Sequence, residues 1–95
     1  MTVYVDNMRR AATVGRTTAR WSHLTADTRE ELLAFAQRIG LRPEWRQAWD
    51  TRRYHFDVTD TRRQAAIAAG AVQVTYPHGM AELLAARRAA EAAAS

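Results

Sequence analysis

The chain is 95 residues long and 47% hydrophobic, with fourteen basic side chains against ten acidic ones and a formal charge of +4. A chain of this length holds one core and no second domain, and its apolar content excludes extended disorder. The lack of cysteine excludes disulfide scaffolds, cysteine-ligated zinc and thiol nucleophiles, and points to a reducing cytosol. No apolar run approaches the roughly 20 residues that cross a bilayer, and the opening MTVYVDNMRR reads as a strand, not a signal peptide. A cytoplasmic protein with no membrane partner is therefore expected.

Every basic residue is arginine, and alanine makes up about a fifth of the chain. Such a bias reflects coding composition as much as function, so the placement of charge says more than its amount. Residues 7–26 hold Arg9, Arg10, Arg16 and Arg20 with no acid among them. That segment is either a phosphate-facing surface or, more plainly, a solvated loop.

In chain order, Thr2-Val3-Tyr4-Val5 is a β-branched and aromatic run that ends at Asp6, placing a carboxylate at a strand's carboxyl edge. The next stretch has no clean period and reads as a loop or a ragged hairpin through Ala11–Val14 and Thr18–Trp21. A helix follows, with Asp27 or Thr28 as N-cap, Glu30 or Glu31 completing a capping box, an apolar face of Leu32, Phe35, Ala36 and Ile39, and Gly40 as its stop. The polar connection from Leu41 to Arg53 carries Pro43, Trp45 and Trp49 and reads as a folded flap.

Tyr54, Phe56 and Val58 alternate with His55 and Asp57, so a strand here sends its aromatics to one face and the His–Asp pair to the other. Thr59 or Asp60 caps a second helix from Thr61 to Ala69, Gly70 stops it, and Ala71–Tyr76 reads as a strand. A last helix starts near Gly79. The expected fold is an α/β domain over residues 1–88, with a small, mostly parallel sheet of about three strands, crossover helices and a C-terminal helix, followed by a frayed Ala-rich tail at 89–95.

The candidate chemistry gathers on the carboxyl edges of the expected strands, where such sheets bind ligands. Asp6 and Asp57 on one rim can hold a cation or divide acid and base roles, unless each simply caps a turn. His55 shares a strand face with Asp57, a spacing at which one group tunes the other; the alternative is a buried histidine satisfied by a carbonyl. His23 precedes the first helix and is the fourth candidate catalytic group. Arg62 and Arg63 open the second helix and can clamp a phosphate, or lie on the surface. Trp45 and Trp49, flanked by arginines, form either a stacking platform or a small core closure. There is no glycine-rich phosphate loop, nucleophile elbow or helical His pair, which leaves the common nucleotide triphosphatase, serine hydrolase and zinc protease classes as poor fits.

Taken in order, VYVDNMR, WSHLTAD, EELLAFAQRIGL, WRQ, HFDVT and TRRQAAIAAGAV resemble the bacterial and phage domain-of-unknown-function family DUF4031 over nearly the whole chain up to Tyr76. The resemblance implies no settled activity. It marks Asp6, His23, Asp27, Trp45, Gln47, His55, Asp57, Arg63 and Gly70 as the positions that match the pattern, and adds Gln47 to the ligand-binding candidates. Similar sequences often carry histidine where this chain has Leu33 and Arg46, so a histidine-rich metal cage is incomplete here. His23, His55, Asp6 and Asp57 remain as possible ligands, but neither a bound metal nor a cofactor is expected.

The function expected from these residues is a hydrolase-like or phosphate-directed site acting on a nucleotide or nucleic acid. His55, Asp57, Asp6 and His23 supply its chemistry, while Arg63, Arg62, Trp45 and Gln47 supply its grip. The alternative is a non-catalytic basic module that binds nucleic acid or a protein partner. The expected partner is a nucleotide or a single-stranded nucleic acid, and assembly as a homo-oligomer stays open.

Overall fold

The computed structural model describes residues 2–94. Its elements are β1 (Val3–Val5), β2 (Arg10–Val14), β3 (Thr17–Ala26), α1 (Arg29–Arg38), a 3-10 turn (Pro43–Trp45), β4 (Phe56–Thr59), α2 (Asp60–Ala68), β5 (Val72–Gln73) and α3 (His78–Ala94). Strands β2 and β3 form a hairpin whose two-residue turn begins at Gly15 with φ 62, the left-handed conformation that Gly-first hairpin turns require.

Strand β3 organises the sheet. Leu24 faces Val5 on one side and Phe56 on the other, and Trp21 faces Arg10 and Thr59 in the same way. So β1 and β2 lie end to end along one edge of β3, with β4 along the opposite edge. Strand β5 adds beyond β1 as its parallel neighbour.

The sequence reading of a mostly parallel sheet of about three strands is corrected here. The sheet has five strands and is mostly antiparallel. The three strands read from the sequence do run in one direction, since β1 and β4 both oppose β3 and β5 parallels β1. The segment read as a loop or ragged hairpin supplies the long antiparallel strand between two of them. Its sequence conceals this because it buries Ser22 and Thr25 beside Leu24 and Ala26, so no apolar alternation marks it.

One face of the sheet carries the core. Val3, Val5, Leu24, Ala26, Phe56 and Val58 pack with Leu32, Phe35 and Ala36 of α1 and Ala66 of α2. Helix α1 is capped by the Thr28 hydroxyl, which accepts from the Glu31 amide at 3.1 Å, and α2 by Thr59, which accepts from Arg62 N at 3.3 Å. Burying a Leu or Phe side chain contributes about 1.5–3 kcal/mol, so this layer holds the domain together.

Helix α3 is fastened differently. Arg87 donates to the carbonyls of Arg52 and Ala26 and to Thr25 Oγ1, and its guanidinium lies 4.2 Å from the Tyr54 ring centre. Burial lowers the Arg87 pKa, but the surrounding oxygens and ring keep a cation in place. The helix continues through Ala94, with Glu91 paired to Arg52 at 2.9 Å, where the sequence reads as fraying beyond residue 88. Among the described residues no helix is long and apolar enough to cross a membrane.

Candidate functional site

Between β1 and β2 the chain bulges over Asp6–Arg9, opposite Ser22 and His23. The Asp6 amide donates to the His23 carbonyl at 3.0 Å, the Arg9 amide donates to Ser22 Oγ at 3.0 Å, and Arg9 adopts a left-handed φ of 46. The bulge turns the Asp6 side chain inward, where it is fully buried. Its Oδ1 accepts from the amides of His23 at 2.9 Å and Met8 at 3.2 Å, and its Oδ2 lies 2.7 Å from His23 Nδ1. Three polar contacts therefore fix the carboxylate, one of them to the imidazole.

Along β4 and the two residues that lead into it, the apolar Tyr54, Phe56 and Val58 are buried, while the alternate His55 and Asp57 are half-buried. The antiparallel register sets His23 opposite Asp57. The His23 and His55 rings meet edge to face with centres 5.2 Å apart, and Tyr76 closes on His23 at 5.6 Å. His55 Nε2 lies 3.4 Å from Asp57 Oδ1, a charge contact long for a hydrogen bond, and His55 Nδ1 lies 2.7 Å from the Arg53 carbonyl.

The Arg53 carbonyl can only accept, so His55 Nδ1 is the N–H and its Nε2 holds the lone pair whenever the ring is neutral; Asp6 Oδ2 is placed to accept from His23 Nδ1 in the same tautomer. Burial by itself lowers the His55 pKa, but Asp57 and the Arg53 carbonyl outweigh it and the net shift is upward. Asp57 is shifted downward, chiefly by His55. One ligand atom each from His23, His55 and Asp57 fall within 4.8 Å of one another, a grouping with the composition of a metal site.

Residues of the cluster line two openings. A cleft of about 170 Å³ is lined by His23, His55, Arg53, Tyr76 and residues of α3. A larger groove of about 620 Å³ runs between the hairpin and the flap, lined by Trp21, Trp45, Gln47, Asp57, Thr59 and Arg62. Asp57 belongs to the groove and the two histidines to the cleft.

Of the residues singled out from the sequence, Asp6, His23, His55 and Asp57 come together. Arg63 does not reach them as a free cation: it is buried, with Nε donating to the Asp6 carbonyl at 2.8 Å and Nη2 to Gln73 Oε1 at 3.2 Å. It holds the bulge that carries Asp6. Arg62 donates through Nη1 to the Ile39 carbonyl at 2.6 Å, closing the end of α1 while lining the groove.

Gln47 exchanges backbone bonds with His55 at 2.8 and 3.1 Å, which fixes the histidine's main chain. The tryptophans divide: Trp49 packs edge-on against Tyr54 and Phe56, whereas Trp45 is 47% exposed at the groove. Leu33 packs against the core and the Arg46 guanidinium lies over Trp49, so neither position that departs from the sequence pattern belongs to the cluster. Tyr76 and the Arg53 carbonyl escaped the sequence reading. A carbonyl carries no residue-type signal, and Tyr76 was read only as the end of a strand.

No curated protein and no solved structure matches the chain. The model of one family, described as a protein of unknown function (DUF4031), matches residues 3–90. With nearly all of the described fold inside that span, the chain belongs to the DUF4031 family.

Proposed function

We propose that the protein is a small hydrolase-type enzyme acting on a phosphate ester of a nucleotide or a single-stranded nucleic acid. The observation that carries this reading is the convergence of the His23 and His55 imidazoles with the Asp57 carboxylate, one ligand atom of each within 4.8 Å of the others, on residues that line a cleft and a groove, backed by the buried Asp6. Titratable groups converging in a concavity are the arrangement an active site uses. The substrate class is supported by the groove, where exposed Trp45 offers a ring face for a base, with the Arg42 guanidinium 5.9 Å from its centre and Arg62 alongside.

In the reaction the oxygen of a water molecule bonds to phosphorus as the P–O ester bond breaks. One water proton ends on the leaving oxygen, and the hydroxyl stays on phosphorus. The test is turnover of a panel of nucleotides and end-labelled single-stranded oligonucleotides by the parent, His55→Gln and Asp57→Asn. Turnover by the parent that falls at least about 100-fold in both variants, which stay folded, is expected. No turnover across the panel would remove this reading.

A second reading rests on the hairpin. All five residues of β2 are exposed, and the hairpin carries Arg10, Arg16 and Arg20 without an acid. A non-catalytic module would bind single strands through this surface, lose affinity steeply with salt because counterion release gains less at higher salt, and be indifferent to His55→Gln.

A further inference from the structure

We infer that His23, His55 and Asp57 form a metal centre for a divalent first-row transition-metal ion of the zinc class, with Asp6 and the Arg53 carbonyl as its supporting shell. This deepens the hydrolase reading by naming what activates the water, but it stands on the geometry of the cluster and not on any activity.

Three observations converge. The donor set is two imidazoles and one carboxylate, which suits zinc, iron, cobalt or nickel and leaves coordination positions open for water and substrate. Ligand atoms at about 2.0–2.1 Å from a shared ion lie roughly 3.0–3.5 Å apart. The 3.4 Å between His55 Nε2 and Asp57 Oδ1 already meets this, and His23, from a maximum of 4.8 Å, has a short approach to make.

The second observation is orientation. Metal-binding histidines nearly always donate their other N–H to a carboxylate or backbone carbonyl, which fixes the ring and its tautomer. Both forms occur here, Asp6 on His23 Nδ1 and the Arg53 carbonyl on His55 Nδ1. Each leaves Nε2 as the lone pair available to an ion. Asp6 is itself locked by two amides and its peptide by buried Arg63, so the supporting shell is rigid.

The third is access. The ligands are half-buried, neither sealed in the core nor on an open surface, and they face a cleft and a groove that admit substrate. An ion so held lowers the pKa of its bound water to about 7, supplying hydroxide at neutral pH.

The experiment is calorimetric titration of chelator-treated full-length protein with Zn²⁺, with Mg²⁺ as control and Co²⁺ absorption as a reporter of nitrogen and oxygen ligation. One Zn²⁺ per chain, no comparable Mg²⁺ binding, and a loss of at least about 100-fold in affinity in each of His23→Gln, His55→Gln and Asp57→Asn support the centre. Asp6→Asn, which removes the shell and not a ligand, lowers affinity about 10–100-fold. Circular dichroism of each variant identifies any that misfold, and the half-exposed Asp57→Asn alone suffices for the decision. No stoichiometric zinc binding, or binding unchanged in His55→Gln and Asp57→Asn, would overturn the inference. Zinc binding without turnover of any substrate keeps the centre and removes the hydrolase reading, while turnover that persists in chelator without zinc binding does the reverse.

Discussion

The two faces of the sheet are built from alternate residues of the same strands, yet they obey different rules. On β4, Phe56 and Val58 enter an apolar layer closed by α1 and α2, while His55 and Asp57, one residue away, enter a polar one. On β3, Leu24 and Ala26 face the core and His23 faces the cluster. Strand pleating thus separates stability from chemistry at the spacing of a single residue, and the polar groups inherit a rigid backbone from neighbours that do nothing chemical.

Substitutions on the two faces test that separation. Phe56→Ala removes a fully buried ring and is expected to cost about 3–5 kcal/mol, lowering the thermal midpoint by more than ten degrees in a domain this small. A shift of only a few degrees by scanning calorimetry would mean that the core does not depend on this layer. Asp6→Asn lies between the faces. It keeps an acceptor for the two amides but sets an amide against the His23 Nδ1–H, so a denaturant titration should report a loss of about 1–3 kcal/mol.

Smaller still is Thr28→Ala, which deletes the α1 cap and should cost about 1 kcal/mol in the same measurement. The least effect on stability is expected from His55→Gln and Asp57→Asn, each within about 0.5 kcal/mol of the parent. If these half-buried changes lowered the midpoint as far as Phe56→Ala does, the polar face would be a structural staple and the contrast between the faces would collapse. Chelation sharpens the same point, because a core that lies on the opposite face should keep its circular dichroism when metal is withheld, with the midpoint lowered only by the lost binding free energy of the ion.

What could be read from the amino acids follows this division. Strand β4 was legible because Tyr54, Phe56 and Val58 bury every second side chain, and the same alternation located His55 and Asp57. Helix α1 was legible from its capping residues and apolar spacing. Strand β3 was legible only in its hairpin half, where Thr18–Trp21 pairs with Ala11–Val14 as one of the two readings had it; beyond Trp21 it was not, since Ser22 and Thr25 are buried through pairing and hydrogen bonds, as with Thr25 donating to the Tyr54 carbonyl at 2.7 Å. Without β3 the sheet looked parallel, and His23 had no neighbour to suggest its role. Arg63 shows the other limit: its type suited a phosphate, but the tertiary structure turns it onto the Asp6 carbonyl, a partner that only the fold supplies.

Because Leu24 is bracketed by Val5 and Phe56, β3 cannot complete its ladders from nearby chain alone. The β2–β3 hairpin is local and can close early, whereas the β3–β4 ladder encloses α1 and the flap, and the Arg63 bond to Asp6 joins residues 57 apart. Long-range closures of this kind come late, since the entropy of the intervening loop must be lost before any contact compensates it. On the ribosome, a nascent chain that has exposed Asp6 and His23 still lacks the second imidazole, the second carboxylate and the arginine that braces the first. The site therefore needs the chain through at least Arg63, and no shorter intermediate of synthesis can carry its chemistry.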